Sequence, residues 1–279
     1  MTDTVLRLEI QHADIAALRD AYGKIQQFSQ TDNRSWIFWS EFHGFNGYDC
    51  WHHSRVGPGR GNVFTYDLFL PWHRAYLVSF DHVVREQNPD AVLPWWDWTS
   101  ARAHRTGIPR AYAEDDVGGD PNPLAGGPTP DMPGDPARRT SRNPRQARQL
   151  PSMTRPHPEW GLQMSVKEVL ALPKFVDFSS QLQDIHDYVH GWVGGDMGVI
   201  ATSAFDPLFW AHHAMIDRLW YLWQLKWGEN NIPIDYLDKV LAPFPFTVRD
   251  VLSIDALGYE YAVSSATTHS PGHHEHGEH

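Results

Sequence analysis

The chain has 279 residues, a formal net charge of −11, 41% hydrophobic and 13% aromatic residues, 13 tryptophans and one cysteine. The acidic balance argues against nucleic acid or an anionic membrane as partner, since both reward basic surfaces. A single cysteine excludes an internal disulfide, and no stretch approaches the length and apolarity of a membrane span.

The N-terminus, Met1-Thr-Asp-Thr-Val-Leu-Arg7, lacks a basic start followed by an apolar run, so a cytoplasmic location is expected. No composition shift divides the chain, and one catalytic domain is expected over residues 1–262. Residues 263–279 are polar with five histidines and read as a disordered, metal-sticky tail outside the fold.

Ile15, Leu18, Tyr22 and Ile25 follow helical spacing and predict a packing helix over about residues 13 to 28. A second helix, rich in Trp36, Ile37, Trp39 and Phe42, can be capped by Asp32 or Asn33 and ended by Gly44, which places His43 in its last turn. From Leu68 to about Arg85 a third helix presents Leu77, Phe80 and Val84 to the core and His73 elsewhere; Arg74 is expected to anchor it and His82 to lie on another face. Pro94-Trp-Trp-Asp-Trp98 reads as packing and a helix stop, with Asp97 a candidate partner for a ligand histidine or a backbone group. Residues 100 to 165 carry most of the irregular chain, with an arginine run at 138, 139, 142, 145 and 148 that nearby acids are expected to offset. Such a loop either borders a site or is a solvated excursion; His104 and His157 are left outside any site.

His186 and His190 lie four apart, about one helical turn, so both imidazoles leave one face. Leu182, Ile185, Val189 and Trp192 give the same helix an apolar stripe that buries this face. Asp206 can cap, and Pro207 can open, a following helix that carries His212 and His213. A second histidine group, His43, His52, His53 and His73, has an equally aromatic context. Two clusters of neutral imidazoles favour copper or zinc over magnesium or calcium, which prefer oxygen.

Phe69-Leu-Pro-Trp-His73-Arg74, Leu93-Pro-Trp-Trp-Asp97-Trp98, His186-x-x-x-His190-x-Trp-Val-Gly-Gly195 and Asp206-Pro-Leu-Phe-Trp-x-His-His213 resemble the type-3 copper proteins, the tyrosinase and catechol oxidase family. The resemblance runs in the family's order from about Trp36 to Trp227. It implies a mainly α fold, a four-helix bundle holding a dicopper centre, with long loops and little β structure. It also implies two copper ions, held by His43, His52 and His73 and by His186, His190 and His213, with His212 outside the ligand set. Relatives place one ligand nine residues before the Trp-His-Arg histidine, where this chain has Phe64. Cys50-Trp51-His52 resembles the family's Cys-x-His element, which implies His52, with His53 as the alternative, and a Cys50 to His52 thioether. Leu257-Gly-Tyr259-Glu-Tyr261 resembles the family's closing tyrosine motif, against which Arg7 is the candidate cation.

The implied chemistry is oxidation of o-diphenols, with monophenols or o-aminophenols as further substrates, to o-quinone-type products by dioxygen. A small phenol would dock near residues 194 to 203. Family members with strong monophenolase activity pair an asparagine after the first histidine of the second copper with an upstream glutamate; Asp187 and Gln183 stand at the matching places. Some relatives use a partner protein for export or copper delivery. A haemocyanin-like oxygen carrier would share the ligands but normally has a covering domain, and a zinc hydrolase would want an acid-base carboxylate beside the metal.

Overall fold

The computed structural model describes residues 4–45, 47, 67–130, 138–144, 156 and 162–262. Cys50, His52, His53, Phe64, His157 and residues 263–279 lie outside these described residues.

Strand β1 (Val5–Arg7) leads into α1 (Ile15–Ile25), capped by Asp14, whose carboxylate accepts the Ala17 amide at 2.9 Å. The spacing of Leu18, Tyr22 and Ile25 puts all three in the core. Helix α2 (Trp36–Ser40) is shorter than expected and is capped by Ser35 instead of Asp32 or Asn33. Asp32 is spent on Arg34, accepting both its amide and its guanidinium, so the hydroxyl nearer the helix takes over the Phe38 amide at 3.1 Å. His43 therefore sits in the turn after α2, which Gly44 closes at φ 77°.

Helix α3 (Phe69–Gln87) is buried along most of its length, and His82 is exposed on its outer side. Trp95, Trp96 and Trp98 are buried as the packing reading expected, while Asp97 serves Thr99, accepting its amide at 3.2 Å and its hydroxyl at 2.5 Å, and not a histidine. The irregular stretch then holds short helices α4 (Ala101–Thr106) and α5 (Arg110–Ala113) and a hairpin of β2 (Asp116–Val117) and β3 (Asp120–Pro121). Of its arginines, Arg138 pairs with Asp196 and Arg142 with Asp206 at 2.6 Å, Arg139 donates to Gln26 and the Gly126 carbonyl instead, and Arg145 and Arg148 lie outside the described residues. Helix α6 (Val166–Val169), fastened by a Ser165–Glu168 capping box, precedes the 19-residue α7 (Phe175–Val193). A single 3-10 turn over Gly195–Gly198 and the short α8 (Ile200–Ser203) lead to the 20-residue α9 (Leu208–Trp227). No described helix is long and apolar enough to cross a membrane.

The fold is mostly helical, with α3, α7 and α9 and the turn after α2 surrounding the centre. Aromatic packing joins these elements: Phe80 stacks on Trp210 with centroids 3.7 Å apart, and the Trp36 indole donates to the Phe205 carbonyl at 2.9 Å. At about 25 cal/mol per Å² and roughly 200 Å² per indole, each buried tryptophan contributes about 5 kcal/mol before conformational entropy is charged against it. Among the described residues eight tryptophans are essentially solvent-free, so the core needs no covalent crosslink.

Strand β4 (Tyr259–Tyr261) pairs parallel with β1, Val5 opposite Tyr259 and Arg7 opposite Tyr261. This brings the Arg7 guanidinium over the Tyr259 ring at 3.8 Å, the arrangement expected from the closing tyrosine motif. Both tyrosine hydroxyls donate to Asp217 of α9 at 2.7 Å, and Asp217 accepts the Arg74 Nε of α3 at 2.5 Å. Arg74 also donates to Gln224 and to the Val251 and Leu252 carbonyls, which makes it the anchor of α3.

Candidate metal centre

Four elements bring histidines to one buried region. On α7 the apolar stripe of Leu182, Ile185, Val189 and Trp192 is buried, and the turn-related His186 and His190 go inward with it. On α9, Asp206 accepts the Leu208 amide at 2.9 Å while its carboxylate is gripped by the Arg142 guanidinium through Nε and Nη2. Pro207 stands at the N-cap with Asp206 just before it, so the carboxylate takes the first amide of α9 from one residue further out than expected, and an arginine from the irregular segment locks it. Helix α3 supplies His73 and the turn after α2 supplies His43.

The imidazole nitrogens assemble into two overlapping groups. His186, His190, His212 and His213 place one nitrogen each within 4.8 Å of one another, and so do His43, His73 and His213. His213 belongs to both. Its Nε2 lies 3.2 Å from the Nε2 of His186 and 3.2 Å from that of His190. Of the six expected ligands, five are brought together, and His52 lies outside the described residues. His212, expected beside the ligands and not among them, stacks its ring on His186 at 5.1 Å and also stands within the first group. His82 and His104 belong to neither group.

Four of the rings turn Nδ1 toward a protein oxygen. His43 Nδ1 meets the Ile200 carbonyl at 3.0 Å, His73 the Phe69 carbonyl at 2.8 Å, and His190 the Met197 carbonyl at 2.7 Å. His186 Nδ1 meets the Asp187 carboxylate at 2.9 Å. A carbonyl can only accept, so the hydrogen sits on Nδ1 and the Nε2 lone pair faces the centre. Burial pushes the His43 pKa down to about 3 and that of His190 to about 4, with the backbone carbonyls offsetting part of the cost. Burial also holds His73, His212 and His213 well below the ordinary histidine range. With the His186 and His190 hydrogens on Nδ1, the three Nε2 atoms at 3.2 Å are held together either by a hydrogen on His213 Nε2 or by a cation lying between them. The donor set therefore fits soft or borderline metal ions, with second-layer acceptors of the kind that orient metal-bound histidines.

The expected site residues Asp187 and Gln183 take different positions. Asp187 is 47% exposed and tied to His186, whereas Gln183, one turn earlier on α7, is buried. Sequence reasoning missed the carbonyls of Met197 and Ile200, because a backbone acceptor has no residue signature. It also missed Phe209 and Phe69, which pack edge-on against the imidazoles: Phe209 lies 4.8 Å from the His43 ring, and Phe69 lies 4.8 and 4.9 Å from His73 and His186. Both phenylalanines stand inside the quoted histidine motifs, four residues before His73 and four before His213, where one helical turn would have indicated contact.

A helical bundle with histidines from separate elements aimed at one buried centre defines a histidine-ligated metalloprotein. The common central domain of tyrosinase matches residues 33–226, well over half the chain, and the chain belongs to the tyrosinase family. The family's cofactor is a dinuclear type-3 copper centre. Streptomyces glaucescens tyrosinase is 33% identical over 185 residues, covering 59% of this chain and 65% of that protein. Hemocyanin 1 of Megathura crenulata is 30% identical over 192 residues, covering 64% of this chain and 6% of that protein. The chain thus spans less than two thirds of the length of these curated relatives. In fold it is similar to a functional unit from octopus hemocyanin (TM-score 0.71, 24% identity, 92% of this chain and 68% of that one). A tyrosinase from Burkholderia thailandensis is equally similar (TM-score 0.71, 21% identity, 96% and 75%).

Proposed function

We propose that the protein is a copper-dependent oxidase that uses dioxygen to convert o-diphenols, with o-aminophenols and, more slowly, monophenols as further substrates, to o-quinone-type products. His43, His73, His186, His190 and His213, with His52, would hold the two ions. When bound, the copper pair supplies the dioxygen activation and two-electron chemistry that organic side chains lack. The overall balance is two catechols and one dioxygen giving two o-quinones and two waters.

The observation that carries this reading is Asp187: one oxygen holds the Nδ1 hydrogen of buried His186 at 2.9 Å while the side chain is 47% exposed. A carboxylate so placed connects the buried centre to solvent, and its second oxygen can accept a phenolic proton. Gln183 can orient a water or substrate hydroxyl but cannot serve as base. His190, at 8% the most exposed of the clustered imidazoles, offers the open side. Val199 and Ile200, about half exposed, supply an apolar edge for a phenol ring next to the carbonyls that hold His190 and His43. Phe69 and Phe209 pack on the inner side and keep bulk water from the lone pairs.

Oxygen uptake by the copper-loaded chain with catechol, tyrosine and o-aminophenol tests the proposal. Catechol is expected to be consumed faster than tyrosine, and Asp187→Asn is expected to slow tyrosine turnover about tenfold or more while sparing catechol. Equal rates on tyrosine and catechol would overturn the ranking. Oxygen bound reversibly, with none consumed in the presence of any of the three, would replace this reading by an oxygen carrier, the role the hemocyanin relatives suggest.

A further inference from the structure

The segment between α7 and α9 holds one histidine of each group. The Met197 carbonyl accepts from His190 Nδ1 at 2.7 Å, and three residues on the Ile200 carbonyl accepts from His43 Nδ1 at 3.0 Å. Ser203 braces the second contact, its hydroxyl lying 3.1 Å from both the Ile200 carbonyl and His43 Nδ1. His73 and His186 differ, since their acceptors, Phe69 and Asp187, belong to their own helices.

What locates these two carbonyls is not α7. The chain leaves α7 through Gly194 and Gly195, at φ 64° and 56°, a region open to glycine. It then lies directly on the segment 138–144: a Cβ on Gly194 would come within 2.6 Å of the Asn143 carbonyl, and one on Gly195 within 2.2 Å of the Ser141 carbonyl. Asn143 donates to the Val193 carbonyl at 3.1 Å, and Asp196 donates to the Ser141 carbonyl at 2.9 Å. The Asp196 carboxylate, almost fully buried, takes the Ser141 amide at 2.8 Å on one oxygen and the Arg138 guanidinium on the other. Asp196 immediately precedes Met197, and its own carbonyl accepts the Thr202 hydroxyl at 3.2 Å. The carboxylate is therefore the fixed point from which both acceptor carbonyls are set.

We infer that Arg138, acting through its ion pair with Asp196, is a positioning residue for both halves of the metal centre, holding the carbonyls that orient His43 and His190. The inference rests on reading the histidine cluster as the copper site. Arg138 itself is not a ligand. Without it, a charged carboxylate is left buried with only the Ser141 amide and, at 3.5 Å, the Ser141 hydroxyl as donors, and the turn that carries Met197 and Ile200 loses its charged anchor. Loss of an oriented outer acceptor typically costs about 10- to 100-fold in metal affinity. The two rings that depend on this segment should be affected, and the two that do not should be spared.

The test compares the full chain with Arg138→Ala, Arg138→Lys and Asp196→Asn. Asp196→Asn keeps an oxygen for the Ser141 amide and guards against misfolding of the alanine variant. Arg139→Ala is the control, because Arg139 in the same segment is bonded to Gln26 and Gly126 instead. Two readouts are taken: the rate at which a chelator strips copper, and the hydrogen-bonded imidazole N–H signals of the metal-free protein by NMR. Arg138→Ala and Asp196→Asn should lose the His43 and His190 signals while keeping those of His73 and His186, and should lose copper about tenfold faster or more. Arg138→Lys should recover most of both, and Arg139→Ala should match the parent. Unchanged His43 and His190 signals, or equal loss of all four, would overturn the inference. A parent chain that takes up no copper yet shows the selective NMR effect would defeat the copper reading while upholding the positioning role.

Discussion

Asp217→Ala removes the acceptor on which β1, β4, α3 and α9 meet. Asp217 is buried and takes Arg74 Nε at 2.5 Å and the Tyr259 and Tyr261 hydroxyls at 2.7 Å, with Arg7 3.8 Å away. Neither guanidinium has any exposure, so water cannot replace the carboxylate. Stripping one partner from a buried ion pair costs about 3–5 kcal/mol, and each orphaned hydroxyl adds roughly 1 kcal/mol. Part is recovered: Arg7 retains Asp81 at 3.8 Å, and Arg74 retains Gln224 and two carbonyls. A net loss of about 3–5 kcal/mol follows, a large share of the roughly 5–15 kcal/mol that stabilises a typical domain. At about 2–4 °C per kcal/mol for a domain near this size, the unfolding midpoint should fall by roughly 6–20 °C. Urea and thermal unfolding followed by tryptophan fluorescence measure it. Tyr261→Phe removes a donor to Asp217 and the acceptor that Arg7 Nη1 meets at 3.1 Å, so it should cost about 2–3 kcal/mol, and the two changes together less than their sum, because they share one carboxylate oxygen. A loss below about 1 kcal/mol for Asp217→Ala, or strict additivity, would refute the assignment of this cluster as the clasp between the chain's two ends.

His213→Ala should lower bound copper by at least one ion per chain, because among the described residues His213 alone stands in both histidine groups, whereas His212→Ala should leave stoichiometry unchanged. Elemental analysis of a chain ending at Ala262, free of the tail histidines, decides this, and equal losses for the two variants would reassign the ligand. Metal-free stability should fall with acid: His43 and His190 stay neutral in the fold down to about 3 and about 4, while the unfolded chain binds their protons below about 6.5. Their contribution is complete above about pH 6.5 and declines by about 1.4 kcal/mol per pH unit per histidine toward pH 4. Denaturant midpoints that are equal at pH 7 and pH 5 would show that these rings are not buried as neutral imidazoles.

Local pattern was enough for the elements that carry the chemistry. The stripe of Leu182, Ile185, Val189 and Trp192 fixes which way α7 faces, and a spacing of four then sends His186 and His190 to the same side, because helical geometry relates near neighbours in sequence by rotation alone. The Asp206-Pro207 start of α9 was legible for the same reason, because a cap is a local bond, whereas the role of Arg7 against the closing tyrosines was implied by the family resemblance of that motif and not by local pattern. The choice of Ser35 over Asp32 as a cap was not legible, since several oxygens stood close enough and the outcome depended on where Arg34 went. Nor could sequence show that Asp187 faces solvent while Gln183 is enclosed, although they are a turn apart. Least legible were the carbonyls of Met197 and Ile200 and the Arg138 to Asp196 pair that sets them. Every residue has a carbonyl, and 58 positions separate that arginine from its partner, so only the folded packing of segment 138–144 against the glycine turn decides which oxygens meet the imidazoles.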